Sequence, residues 1–165
     1  MTVPDAESRP EHGARTGKVD EAEFQRRKAM AALARAHIEL YEASDGEAVS
    51  LPHGRKLVLV ASLGAKSGVW RTHPVMRVEH EGRYAIVASR GGSDQNPAWY
   101  WNVRANPSVR LQDGATKGTY TARELQGDER VLWWARAVEA YSPYAEYQVK
   151  TERLIPVFIL EPDRG

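Results

Sequence analysis

Three short aliphatic runs constrain this chain most: Leu57–Leu63 (LVLVASL), Arg83–Ser89 (RYAIVAS) and Ile155–Leu160 (IPVFIL). Each is too short for a stable helix and rich enough in β-formers to read as a buried strand. Thr72–His80 alternates weakly and carries Pro74, which confines it to a sheet edge or a bulge. Ser108–Gln112 and Gly118–Leu125 flank an Asp113-Gly114 turn, and Glu81-Gly82 marks another. About six strands joined mainly by short turns predict an antiparallel sheet. The first three are expected to form a meander, and closure into a small barrel would hide the edges.

Helical spacing of Phe24, Ala31, Ala34, Ile38 and Tyr41 predicts a helix over Glu21–Glu42, packed on the core. Asn96-Pro97 predicts a second helix start, with Asn96 as N-cap and Pro97 in the first turn, ahead of AWYWNVRA. That helix ends at Asn106-Pro107. Asp128–Tyr141 predicts a late helix with Leu132, Ala135 and Val138 on one face. The expected class is α+β with a β-barrel core. No GxGxxG follows a strand and no GxxxxGK[ST] is present, so a doubly wound nucleotide fold is not expected.

The 165 residues suit one domain, expected over 21–165, behind a disordered tail over 1–20 rich in Pro, Gly and charge. The tail has no apolar h-region and is not expected to be a signal peptide, and no apolar run reaches membrane-spanning length. With no cysteine, thiolate catalysis and Cys-based metal sites are excluded. The five histidines form no close metal pair, so no metal is expected. A net charge of +1 gives no global case for nucleic acid. A cytoplasmic protein is expected. Arg26, Arg27 and Lys28 near the first helix start read as a solvated turn, as a peripheral membrane contact or as a contact for an anionic tail.

Any anion site must therefore be local, and GAKSGVWRTHP (Gly64–Pro74) is the place for one. It is longer and more basic than a hairpin turn needs. Lys66, Ser67 and Arg71 supply donors, and Gly64 and Gly68 allow close backbone approach. The alternative is a solvated connecting loop. A second donor-rich loop, Ser89-Arg90-Gly91-Gly92, precedes the helix at Pro97, whose first N–H groups carry a positive dipole end. Trp99-Tyr100-Trp101 adds aromatic surface and Asn102 an amide. Together these describe a site for a phosphorylated planar cofactor. No GxSxG elbow supports a serine nucleophile. Glu79 and Glu81 read as a solvated hairpin end, and Trp133-Trp134 as core and surface cover.

The run GAKSGVWRTHPV, followed by ASRGGSDQNPAWYWNVRANPSV, resembles the deazaflavin (coenzyme F420)-dependent nitroreductase family of actinobacteria. Tyr141-Ser142-Pro143-Tyr144, Tyr147 and IPVFILEP also resemble it, over about Leu57 to Pro162. The resemblance implies a split β-barrel that binds coenzyme F420. It implies phosphate contacts from Ala65, Lys66, Ser67, Gly68 and Arg71, with Val69, Trp70 and Pro74 in the same loop. It implies that Leu59, Val60 and Ala61, Val87, Ala88, Ser89 and Arg90 beside Gly91, and Asn96, Pro97, Ala98, Trp99 and Tyr100 line the deazaflavin. The family pattern commonly has Arg where Ala65 stands and Lys where Arg90 stands. Trp70 is large for this loop. The activity implied is hydride transfer from reduced F420 to a quinone, nitroaromatic or similar acceptor, which needs no protein nucleophile. Tyr141, Tyr144 and Tyr147, spaced i, i+3, i+6, and Met76 would form the acceptor side, with Tyr144 donating to a developing oxyanion. Half-buried tyrosines under a lid are the bland alternative. An FMN-dependent oxidoreductase on the same barrel, or a non-catalytic F420-binding protein, are the competing readings.

Overall fold

A computed structural model of the chain describes residues 20–164. In order these form α1 (Glu21–Ser44), β1 (Leu57–Leu63), β2 (Trp70–Met76), β3 (Glu79–His80), β4 (Arg83–Val87), α2 (Ala98–Ala105), β5 (Ser108–Asp113), β6 (Thr116–Glu124), α3 (Gly127–Ala140), α4 (Pro143–Lys150) and β7 (Val157–Pro162). The class is α+β as expected. The strands make one antiparallel sheet, ordered β2-β1-β5-β6-β7-β4-β3 and curled into a half-barrel. The tail expected over 1–20 lies outside the described residues apart from Asp20, whose carboxylate caps α1 by accepting from Ala22 N–H at 3.4 Å.

The expected meander does not form. β1 and β2 pair from Leu57↔Met76 to Leu63↔Trp70, but β4 pairs with β3 and β7 rather than with β2. The reason is burial. Tyr84, Ala85, Ile86 and Val87 are all buried, and a strand covered on both faces belongs inside a sheet. β2 carries Pro74, which donates no ladder bond, and takes the edge as its sequence requires. β2 and β4 approach without sharing a ladder, so the barrel stays split there.

Strand alternation sorts the core in two. Inside the curl, Val58, Val60, Ile86, Val109, Leu111, Phe158 and Leu160 pack with Tyr100 and Val103 of α2. Outside it, Ala85, Val87, Val157 and Ile159 are covered by Trp133 and Ala137 of α3 and Tyr144 of α4. The expected face of α3 holds at Val138, which packs on the outer cluster, while Leu132 and Ala135 are exposed and Trp133 and Ala137 take the inward positions. Trp133 is fully buried, because it offers more apolar area to the same groove. α1 also departs from expectation. Phe24 and Ala31 are exposed, and only its last turns are held, through Tyr41. The Tyr41 hydroxyl donates to Leu57 O at 3.1 Å and accepts from Gly114 N–H at 2.8 Å.

Candidate active site

The β1–β2 connection is a built turn. Gly64 N–H donates to Val69 O and Gly68 N–H to Gly64 O, both at 2.9 Å, while Val69 N–H donates to Ser67 Oγ at 3.2 Å. Gly68 sits at φ +66° and needs to be glycine. A Cβ at Gly64 would run into the Ser67 side chain. Ala65 N–H donates to Asn102 Oδ1 at 3.0 Å and ties the turn to α2. The result is a cleft of about 650 Å³ lined by Ala65, Lys66, Ser67, Arg71, Ala98, Trp101 and Asn102, with Gly64. Among the described residues, neither Lys66 nor Arg71 pairs with a carboxylate. α2 opens into the same cleft with no side-chain cap on its first turn. Two free cations, a hydroxyl and uncapped N–H groups are a donor set that fits a phosphate.

Asn96 does not cap α2. Pro97 occupies the N-cap position and its carbonyl accepts from Tyr100 N–H at 3.1 Å. Asn96 Oδ1 is engaged instead by Arg153 Nη1 at 2.8 Å. That arginine was not legible as a site residue, and it organises the whole second loop. Its Nε donates to Ser93 O at 2.8 Å, and its Nη2 reaches Ala88 O and Ser89 O at 3.1 Å and Gln95 O at 3.2 Å. Arg90 (φ +44°), Gly91 (+64°) and Gly92 (+85°) turn the chain under it. Gly92 must lack a side chain, since a Cβ would lie 2.9 Å from Tyr147 O of α4. The exposed Arg90 donates to Gln95 Oε1 at 3.1 Å.

The aromatic run on α2 divides by helical position. Trp101 faces the cleft with Ala98 and Asn102, an i, i+3, i+4 face that the spacing already contained. Tyr100 turns into the barrel core. Trp99 stacks on His73 with ring centroids 5.4 Å apart and planes 8° from parallel. His73 Nε2 is sealed without a partner, and burial holds its pKa down to about 4, so the ring is neutral at pH 7.

The remaining sequence-predicted residues fall on both faces of the sheet. Val60 and Ala88 belong to the interior core. Leu59 and Ala61 point outward and line, with Trp70 and Thr72, a groove of about 440 Å³. Trp70, Thr72, Pro74 and Met76 alternate along β2 and so form one outward row. At its far end Met76 packs against the outer core cluster that holds Val87 and Tyr144, and Tyr141 and Tyr147 pack against the same cluster. The row therefore joins the groove to the tyrosine cluster. The Tyr141 and Tyr147 hydroxyls are 3.1 Å apart, and Tyr144 packs edge-on against Tyr141 with centroids 4.9 Å apart. Burial, then the neighbouring Tyr141 and Tyr147, push the Tyr144 pKa up, so its hydroxyl keeps its proton. Arg55 lies 4.8 Å over the Tyr141 ring. Glu79 accepts from Gly82 N–H at 2.9 Å and serves the turn. No group of three metal-ligating side chains gathers among the described residues.

Comparison with known proteins matches this architecture at several levels. A family model for F420H(2)-dependent quinone reductases matches residues 33–162. An F420H(2)-dependent quinone reductase of Mycobacterium tuberculosis strain H37Rv is 33% identical over 132 residues, covering 78% of this chain and 89% of that protein. A solved structure described as an F420-H2 dependent reductase, FDR-A, is 60% identical over 64% of this chain and 93% of its own, with a TM-score of 0.62. Another, described as a domain-swapped dimer, is 48% identical over 86% of this chain and all of its own (100%), with a TM-score of 0.63. The cationic hairpin, the outward row of β2 and the tyrosine cluster all lie inside the matched span, and this chain belongs to the F420H(2)-dependent quinone reductase family.

Proposed function

We propose that this chain transfers hydride from reduced F420 to a small quinone-type acceptor, nitroaromatics being the related class. The observation that carries this reading is the cleft of Lys66, Ser67 and Arg71 at the α2 N-terminus, in a chain of this family. Those residues would hold the cofactor phosphate, with Ala65 and Gly68 giving backbone access. When bound, reduced deazaflavin supplies the hydride and so carries the hard chemistry. The chain's part is to bind, orient and exclude water. The row Pro74–Met76, with Val87 and the Ser89–Gly91 loop fixed by Arg153, would set the plane against which the ring lies. Met76, Tyr141 and Tyr147 would bound the acceptor. Tyr144, kept protonated by burial, would donate from its Oη to the acceptor oxygen as negative charge develops there.

The test is a titration of the purified protein with F420 and with FMN at two salt concentrations. Tight, salt-sensitive F420 binding with weak FMN binding is expected. Preference for FMN would replace the cofactor on the same barrel. F420 binding without turnover of any quinone would leave a binding protein. A cytoplasmic protein that touches the membrane peripherally is part of the proposal. No helix among the described residues is long and apolar enough to cross a membrane, but α1 exposes Phe24, Met30, Leu33 and Leu40 beside Arg26, Arg27 and Lys28. Co-flotation with anionic vesicles that is lost on substituting Phe24 and Met30 by Ser is expected. Flotation indifferent to those residues removes α1 from the contact.

A further inference from the structure

We propose that the outer groove is a specificity site for planar acceptors bearing an anionic substituent, with Arg110 as the selecting residue. This rests on the reductase reading and adds the substrate class. Leu59 and Ala61 give the groove an apolar floor, and Trp70, 37% exposed, gives it a flat wall. The Arg110 guanidinium lies 3.9 Å over the Trp70 ring. A guanidinium stacked on a ring keeps its edge N–H groups available, the mode in which Arg receives a carboxylate or sulfonate in two parallel bonds, and Arg110 makes no side-chain hydrogen bond among the described residues. Among the described residues Arg110 and Lys117 have no carboxylate partner. Both line the groove, against Glu42 as its one lining carboxylate. The groove of about 440 Å³ has room for the anionic end of the acceptor, whose reducible oxygen lies toward the tyrosines. Thr72, next on the outward row of β2, connects this wall to the Pro74–Met76 stretch and the tyrosines. The phosphate cleft opens elsewhere: Arg71 and Trp70 are adjacent and point to opposite faces.

The probes are 1,4-naphthoquinone-2-sulfonate and 2-methyl-1,4-naphthoquinone, which differ in the anion. Calorimetric titration of the full chain is expected to show the sulfonate binding about tenfold more tightly at low salt. Arg110→Gln is expected to erase that preference, raising KM for the sulfonate while its kcat, and both constants for the methyl quinone, stay put. Trp70→Leu should weaken both probes. Saturating F420 should leave sulfonate affinity unchanged. Equal affinity of the two probes, no binding of either, or a preference that survives Arg110→Gln overturns the proposal. Displacement of the sulfonate by F420 also overturns it, since the groove would then belong to the cofactor ring. Failure of the protein to bind F420 at all would sink the reductase reading, and it is visible in the same titrations apart from the groove result.

Discussion

The hairpin that lines the cleft and the loop that leads into α2 are built on opposite plans. The hairpin Gly64–Arg71 displays its cations: Lys66 and Arg71 face open space, and the turn is closed by its own short bonds and one tie to Asn102. The loop over residues 88–96 is held instead by a cation committed to its main chain. Arg153 approaches from outside the loop, and its guanidinium donates to four main-chain carbonyls and the Asn96 amide. A displayed cation is left available to a ligand. A committed one is matched to the chain, and it acts on the ligand only by holding carbonyls and turns in place.

The sharpest break of that comparison is Arg153→Ala. It would orphan several half-buried carbonyls at once, and a loss of about 3–5 kcal/mol in stability is expected. Cofactor affinity should fall with it. Arg153→Lys separates the two effects, because one ammonium cannot reach all five acceptors. It should recover part of the melting temperature and little of the F420 affinity. A lysine variant with full affinity would reduce Arg153 to a structural residue.

The hidden side of the hairpin gives the next effect. His73 lies on β2 beside Arg71 but faces the barrel, stacked on Trp99 with Nε2 unpartnered. Its folded pKa is held down to about 4 by burial, against an ordinary value near 6.5. Below about pH 6.5 the unfolded chain takes up a proton that the folded chain refuses, so stability is full above 6.5 and falls as pH drops toward 4. The full loss is about 3 kcal/mol at most. Urea melts from pH 7 to pH 4.5 should show the slope, and His73→Asn should flatten it. Equal slopes in both proteins would put the acid sensitivity elsewhere.

Lys66→Ala and Arg71→Ala follow, each expected to weaken F420 binding about 10- to 100-fold with an unchanged melting temperature. A pair with wild-type affinity would remove the anion reading of the hairpin. This contrast in expected outcomes, affinity without stability at the hairpin and both together at Arg153, is what distinguishes the two plans.

The same contrast explains what was legible. Donors shown to solvent are written in side chains, so Lys66, Ser67 and Arg71 could be found from the sequence. β1 could be found residue for residue, and Pro74 correctly sent β2 to an edge. Arg153 acts on carbonyl oxygens, which every residue carries, and its acceptors lie about sixty positions upstream (|i−j| of 57 to 65). Asn96 looked like a cap because Asn-Pro favours one locally, and a long-range partner overrode it. The placement of β4 beside β7 is likewise a choice among distant partners that no local pattern records. Trp101 was within reach: helical periodicity alone puts it on the face of Ala98 and Asn102.

Tyr144 gives the smallest effect and joins both plans, since α4 stands on the loop at Gly92 while Tyr144 belongs to the outer core cluster on which Met76 of the hairpin strand also packs. The Tyr144 hydroxyl makes no hydrogen bond among the described residues, and burial keeps it protonated. Tyr144→Phe removes one donor and leaves the ring packing against Tyr141 and Trp134. No buried partner is orphaned, so stability and F420 affinity should hold. One neutral hydrogen bond of about 1–1.5 kcal/mol, made to an oxygen as it gains charge, is worth about tenfold in turnover when deleted. Steady-state rates with one quinone, measured with F420 affinity on the same preparation, decide it. A drop in kcat at constant affinity places the hydroxyl at the acceptor, and equal losses in both would make Tyr144 part of the packing that holds α4 over the loop.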